Sequence, residues 1–173
     1  MVKDLFLTLE ELKELDSYSE DFDSETIGLD EIPITGGRIT LTITKGELFI
    51  FQGRISFTAR LVCARCGEEF EQEFDEEFHR EYIFGRDPYD SLPQVELRRQ
   101  DLDRVYFQDI GIDLKGAIRE AVITAIPMAP HCREDCRGVC PICGKNLNYG
   151  DCSCPKEGGG GWLEEFLKNK RSD

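Results

Sequence analysis

Alternation of hydrophobic and polar residues predicts β structure between residues 38 and 62. In residues 38–44, RITLTIT, isoleucine or leucine alternates with threonine, and this two-residue period is typical of a strand that buries one face. The polar residues 45–47 then predict a turn before a second β-rich run. Gly53 lies inside that run and predicts a bulge or a break in it.

The acidic segment at residues 68–84 has a spacing that fits either a strand or a helix. Its aromatic residues recur every four positions, so they share one face in both structures. The β-rich sequence on either side favours a strand. The acidic positions of residues 68–78 are then interpreted as a solvated face. The four aromatic positions are Phe70, Phe74, Phe78 and Tyr82.

One principal helix is predicted at about residues 110–126. Asp113 is a candidate for its N-terminal cap, and Pro127 ends it. The fold class predicted from all these elements is α+β, a mostly antiparallel β-sheet with one principal helix and a C-terminal cysteine-rich zinc-knuckle segment. Hydrophobic residues follow helical spacing at Leu114, Ile118, Val122 and Ala125.

Composition and charge are typical of an acidic protein of the cytoplasm. Hydrophobic residues make up 40% of the chain and charged residues 32%, and no apolar run approaches the roughly 18 residues of a membrane span. The first fifteen residues carry acidic side chains where a secretory signal has a basic start and an apolar core. The net charge of −14 disfavours nonspecific phosphate binding, which depends on positive charge. We therefore expect a cytoplasmic protein without a membrane partner.

Eight cysteines are the candidate chemistry of this chain. A reducing cytoplasm disfavours disulfides and favours metal binding. The chain contains two Cys-x-x-Cys-Gly knuckles, CARCG and CPICG, in which both sulfurs point at one ion and the glycine accepts the turn beneath them. Because structural zinc takes four ligands, eight thiols predict two closed Zn²⁺ sites. Their spacing is Cys63-x2-Cys66-x65-Cys132-x3-Cys136-x3-Cys140-x2-Cys143-x8-Cys152-x-Cys154.

Loop closure favours one division of these thiols into two sites. Site one then bridges two parts of the chain that are far apart in the sequence, whereas site two closes locally through a loop rich in glycine and asparagine. The alternative division sets the two knuckles opposite each other. The predicted ligands are Cys63, Cys66, Cys132 and Cys136 for site one, and Cys140, Cys143, Cys152 and Cys154 for site two.

Other uses of the thiols fit the sequence less well. An iron–sulfur cluster is chemically compatible, since thiolates hold either metal. A redox role for CARC would require a helix N-terminus in a βαβ unit, whereas this motif lies between two predicted strands. His131 adjoins Cys132 and is an alternative zinc ligand. The chain shows no Ser/His/Asp set, phosphate loop or H-E-x-x-H pattern, so we expect no enzymatic activity and no small-molecule substrate.

Three parts are predicted along the chain. Residues 1–126 form a β-rich domain that ends in the amphipathic helix, and residues 127–156 form a zinc-binding segment that closes back on Cys63 and Cys66. Residues 157–173 form a flexible glycine-rich hinge and a short tail. The length of 173 residues suits one ordinary domain with a small appendage.

Two stretches of the chain carry a family resemblance. LVCARC, followed by an amphipathic helix and then by AIPMAPHCREDCRGVCPICGKNLN, resembles the bacterial YceD-like family, named for accumulation of large-subunit ribosomal RNA. The resemblance runs from about residue 38 to residue 154. It implies a role in the accumulation or processing of that RNA and does not imply an enzymatic activity. We therefore expect ribosomal RNA or a large-subunit ribosomal protein as the partner.

Two modes of action remain open. In the first, the knuckles and a local basic patch touch ribosomal RNA, since the planar fork of arginine suits phosphate. In the second, the protein is an adaptor whose acidic sheet binds a basic ribosomal protein without touching RNA. The candidate RNA-binding residues are Arg60, Arg65, Arg133, Arg137 and Lys145.

Overall fold

The structure of the chain is a computed structural model that describes residues 5–96 and 98–154. Within these residues, seven strands form two sheets, accompanied by two α-helices. The hinge and tail predicted for residues 157–173 lie outside the described residues. The strands are β1 (Phe6–Thr8), β2 (Ser17–Phe22), β3 (Ile34–Lys45), β4 (Phe49–Val62), β5 (Glu69–Phe84), β6 (Arg104–Phe107) and β7 (Gly111–Asp113). The helices are α1 (Leu9–Glu14) and α2 (Lys115–Ala125), and short 3-10 turns occur at Arg99–Asp101 and Leu147–Tyr149.

Five strands form the main sheet in the order β2–β3–β4–β5–β6. Neighbouring strands from β2 to β5 are antiparallel, whereas β6 pairs in parallel with the C-terminal end of β5. A second sheet consists of β1 and β7, which pair antiparallel. The strands are therefore mostly antiparallel, and with few helices beside them the fold class is α+β, as predicted.

The β region predicted from alternation is confirmed. In β3 the three hydrophobic residues predicted to face inward are buried, and the threonines between them are exposed. β5 is a strand and not a helix. Three of its four regularly spaced aromatic residues are buried, while Phe70 is partly buried.

β4 runs without interruption through Gly53, so the predicted bulge or break at this residue is wrong. The irregularity in the register of β3 and β4 lies instead between Ile34 and Gly36. At position 53 the backbone of β3 is so close that a Cβ atom would overlap the carbonyl oxygen of Thr40. Glycine therefore permits a close approach of the two strands and does not change their register.

α2 carries the predicted hydrophobic face. Leu114, Ile118 and Val122 are fully buried in the cluster that also contains the inward-facing residues of the main sheet. Ala125 packs against this cluster and is partly buried. Burial of this face holds α2 against the sheet. Neither of the described helices is long and apolar enough to cross a membrane.

The ends of α2 place the segments that follow it. The helix begins at Lys115 and not near residue 110, because the strand β7 precedes it. Leu114 occupies the N-cap position and the helix has no side-chain capping hydrogen bond, so the predicted cap at Asp113 is wrong. The Asp113 carboxylate, one residue earlier, accepts a hydrogen bond of 2.9 Å from the backbone N–H of Lys115. Beyond the helix, the Pro130 carbonyl accepts a hydrogen bond of 2.7 Å from the N–H of Ala64. This contact brings the cysteine-rich segment to the end of β4.

Candidate metal centres

Site one brings together four thiols from two distant parts of the chain. Two of them follow β4 and two follow α2, yet their sulfur atoms all lie within 4.8 Å of one another. The Sγ–Sγ distances are 3.8 Å for Cys63–Cys136 and 3.8 Å for Cys66–Cys132. Four sulfurs at the corners of a tetrahedron, each about 2.3 Å from a central ion, are about 3.8 Å apart. The spacing of the thiols therefore fits a tetrahedral ion such as zinc.

The CARCG knuckle holds two thiols of site one in a tight turn between β4 and β5. The Cys63 N–H donates to the Glu68 carbonyl at 2.8 Å, and the Gly67 N–H donates to the Cys63 carbonyl at 2.9 Å. Gly67 has a φ of 75°, in the left-handed region that glycine adopts without strain. The turn predicted beneath the two sulfurs is therefore present.

Site two is local and repeats this geometry. The Cys140 N–H donates to the Lys145 carbonyl at 2.8 Å, and the Gly144 N–H donates to the Cys140 carbonyl at 2.8 Å. Gly144 has a φ of 72°, so the chain uses the same turn twice. The sulfur atoms of site two lie within 4.8 Å of one another and belong to Cys140, Cys143, Cys152 and Cys154.

The structure groups the eight thiols as loop closure favoured and does not place the two knuckles in one site. All eight are free thiols. Within the described residues, Cys132 and not His131 belongs to the site-one group. Site one is the more enclosed of the two, with Cys63 only 2% exposed, whereas Cys143 of site two is exposed.

Backbone amides stabilise the thiolate of the first cysteine in each knuckle. Burial opposes ionisation of Cys63, but hydrogen bonds from the backbone of Cys132, Cys66 and Arg65 outweigh it and lower the pKa to about 5. Hydrogen bonds from the backbone of Cys143 and Ile142 lower the pKa of Cys140 to about 6. The backbone of each knuckle therefore favours the thiolate of its first cysteine, which is the form that binds metal.

Two other thiols of these sites have a raised pKa. Burial and the neighbouring Cys63 raise the pKa of Cys132 to about 12. Hydrogen bonding to Cys143, together with burial, raises the pKa of Cys154 to about 12. Several thiolates in contact repel one another, and a divalent cation between them would relieve this repulsion. The donor sets therefore fit a metal ion, which the four cysteines of each site would hold.

Each of the five cations predicted to touch RNA has a partner within the protein. Near site one, Arg65 donates to the carbonyls of Glu134 and Cys136 at 3.2 and 3.3 Å. The remaining pairs are Arg60 with Glu71 at 3.6 Å, Arg133 with Asp135 at 3.4 Å, Arg137 with the Asp151 carboxylate, and Lys145 with the Asp151 carbonyl at 2.8 Å. Arg60 therefore lies on β4, the other four cations lie near the two sites, and each of the five has a partner within the protein.

The acidic run on β5 forms an exposed face of the main sheet, as predicted. Arg54 pairs with Asp75 at 2.7 Å, and Arg60 with Glu71. In the part of the chain that the structure describes, the other three carboxylates of this face form no ion pair. The acidic face consists of Glu69, Glu71, Glu73, Asp75 and Glu77.

Sequence reasoning missed two residues that join site two to site one. The Asn148 side-chain amide donates to the Cys136 sulfur at 3.4 Å. The Glu68 carboxylate lies beside the Tyr149 hydroxyl and raises the pKa of Tyr149. Both lie in the glycine- and asparagine-rich loop between Cys143 and Cys152. No sequence signal distinguishes these two residues from their neighbours in that loop.

The fold and the two sites define an α+β protein with two four-thiol clusters that could hold metal ions. Residues 51–164 match the family model described as "Large ribosomal RNA subunit accumulation protein YceD". Because this match covers more than half of the chain, the protein belongs to that family, and the family resemblance in the sequence is confirmed. The match begins later and ends later than the resemblance suggested.

The chain is similar to proteins of Haemophilus and Mycobacterium. A Haemophilus influenzae protein named "Large ribosomal RNA subunit accumulation protein YceD" is 27% identical over 107 residues, which cover 60% of this chain and 58% of that protein. Uncharacterized proteins of Mycobacterium tuberculosis and Mycobacterium bovis are 40% identical over 58 residues, which cover 34% of this chain and 27% of theirs. The match therefore spans less than two thirds of each relative's length. No solved structure matches the chain.

Proposed function

We propose that this protein is a non-enzymatic, zinc-stabilised cytoplasmic factor in the biogenesis of the large ribosomal subunit. The observation that carries the ribosomal role is family membership over residues 51–164. The named relative shares the description of large ribosomal RNA subunit accumulation. Zinc is supported by sulfur–sulfur distances of 3.8 Å in site one, the edge length of a zinc–thiolate tetrahedron.

The proposed role of the metal is structural. Each site offers four thiols, and a tetrahedral ion that binds all four keeps no open position for water or substrate. Site one would tie the turn after β4 to the segment after α2. Zinc there would hold the helix in place over the sheet and would contribute directly to the free energy of folding.

For the partner, the geometry supports a basic ribosomal protein better than direct contact with RNA. All five candidate RNA-binding cations are paired internally. The exposed face of β5 carries five carboxylates, and the chain has a net charge of −14. Electrostatic attraction would therefore steer a basic protein towards the sheet and would repel phosphate.

Depletion of the protein in its source organism tests the ribosomal role. The expected result is a loss of large subunits relative to small subunits in a sucrose gradient, with build-up of precursor RNA. Expression of the intact chain should restore the normal ratio. Unchanged subunit proportions and normal RNA processing after depletion would show that the ribosomal assignment is wrong.

Capture of partners from lysate distinguishes the two modes of binding. We expect a ribosomal protein to be retained after ribonuclease treatment and to be lost when Glu73→Lys and Glu77→Lys are combined. Glu47→Lys changes charge at the tip of the β3–β4 turn, away from the acidic face, and serves as the control. Loss of binding after ribonuclease, together with weakening by Arg133→Ala, would instead select direct RNA contact.

A further inference from the structure

The loop of site two folds back onto the segment that carries site one. The Leu147 N–H donates to the Gly138 carbonyl at 2.8 Å, and Asn146 forms an antiparallel bridge with Val139. These contacts lie between Cys136, which belongs to site one, and Cys140, which belongs to site two. The two sites therefore share a single short piece of backbone.

Asn148 makes the contact that reaches a ligand of the other site. Its Nδ2 atom lies 3.4 Å from the sulfur of Cys136. Its Oδ1 atom accepts a hydrogen bond of 2.8 Å from the backbone N–H of Arg137, and this bond fixes the amide with its N–H groups towards the sulfur. Asn148 is partly buried, so water competes less for this contact than at the surface.

The position of Asn148 depends on closure of site two. The residue lies between Cys143 and Cys152, in the loop that joins the two halves of that site. The Asn146 side chain accepts from the Asn148 N–H at 2.9 Å and begins the 3-10 turn that carries it. Metal in site two would fix both ends of this loop. Without metal the loop would sample more conformations, and Asn148 would be held less firmly beside Cys136.

We propose that Asn148 is a positioning residue that couples the two sites, so that zinc in site two increases the zinc affinity of site one. Site two fills first, since its ligands all lie in the short stretch from Cys140 to Cys154 and little chain entropy opposes closure. The ordered loop then donates a hydrogen bond to the Cys136 sulfur and holds that sulfur in the position from which it can bind the metal of site one. The inference rests on the zinc binding in the proposed function.

The test measures zinc affinity separately for each site in the full chain. Reduced protein is equilibrated with zinc at graded chelator concentrations and pulsed with a thiol-alkylating reagent. Peptide mass spectrometry then reports protection of each cysteine group, and circular dichroism confirms that each variant retains its sheet. For the unaltered chain, we expect site-two cysteines to become protected at lower free zinc than site-one cysteines.

Two substitutions should each raise the site-one midpoint, which is the free zinc concentration at which half of the site-one cysteines are protected. Asn148→Asp keeps the acceptor for Arg137 but removes the donor, and Cys152→Ser disables site two. Each should raise the free zinc concentration at the site-one midpoint by about 10- to 100-fold. Combined, they should give no further increase, because they break the same link. Gln52→Glu makes the same amide-to-carboxylate change at an exposed position of β4, opposite Thr42 and His79 in the main sheet and away from both sites, and should leave the site-one midpoint in place.

Separate outcomes overturn the coupling and the zinc binding on which it rests. An unchanged site-one midpoint in Asn148→Asp shows that the hydrogen bond does not link the sites. Additive shifts in the double variant show that the two residues act independently, which also overturns the proposal. If zinc protects no cysteine in the unaltered chain, zinc binding itself is wrong, and the coupling is wrong with it.

Discussion

Loss of one thiol from site one should destabilise the whole fold more than loss of one thiol from site two. Cys63→Ser and Cys152→Ser make the same atomic change, so the two variants form a matched pair. The site-one link closes the long loop from Cys66 to Cys132, whereas the longest gap between ligands in site two is the short one that ends at Cys152. The cost should therefore follow the length of chain that each metal restrains.

Chain entropy gives the size of the difference. When the metal is treated as a cross-link, closure of the site-one loop restrains the unfolded chain by about 4.4 kcal/mol, and closure of the site-two loop by about 2.7 kcal/mol. Cys63→Ser should therefore lower the free energy of unfolding by about 1.7 kcal/mol more than Cys152→Ser. Burial acts in the same direction, since Cys63 is 2% exposed and Cys152 is only partly buried.

The assay is urea unfolding at saturating zinc, combined with hydrogen exchange. We expect Cys63→Ser to raise exchange in β4, β5 and α2, because site one joins the turn between β4 and β5 to the segment that follows α2. In Cys152→Ser the increase should stay within residues 137–154. Equal losses of unfolding free energy, or exchange in the sheet that rises as much in Cys152→Ser, would refute the account of site one as a long-range link.

Two further predictions concern the sheet and the metals. Gly53→Ala should lower the free energy of unfolding by about 2 kcal/mol or more, since its methyl group would overlap the Thr40 carbonyl. In Gly36→Ala, the control, the methyl group enters open space. The free energy of unfolding of that variant, measured in the same urea experiment, should be almost unchanged. Protein purified without chelator should contain close to two zinc equivalents and no visible absorption; a brown protein would indicate an iron–sulfur cluster, and a single equivalent would contradict two metal sites.

Hydrophobic periodicity predicted the long strands because each of them buries one face. β3, β4 and β5 span 12, 14 and 16 residues, long enough for the pattern to stand out. β1 and β7 span three residues each and β6 only four. Strands this short form because the tertiary fold supplies their pairing partners. Their sequences are too short to show a hydrophobic period.

The candidate metal sites were predictable for a different reason. A knuckle is a local turn, so its spacing and glycine are visible in the sequence, and loop length favoured one division of the thiols. The surroundings of the sites were not predictable. Asn148 reaches Cys136 only because the site-two loop folds back, and Arg137 and Lys145 meet Asp151 through the same turn of the chain. The sequence shows that Arg137 and Lys145 carry positive charge, but it does not show which groups they contact.

Zinc in both sites, as proposed, would make the cysteine-rich segment more acidic. Residues 127–154 contain three Lys or Arg and three Asp or Glu, so they are formally neutral before the thiols ionise. A zinc ion held by four thiolates carries a net charge of about −2, and two such sites shift the neighbourhood by about −4. Phosphate would then meet negative charge at the knuckles as well as at the acidic face of β5. The basic side chains near the two sites have partners within the protein. The charge distribution therefore supports a basic protein as the partner of the chain when both sites hold zinc.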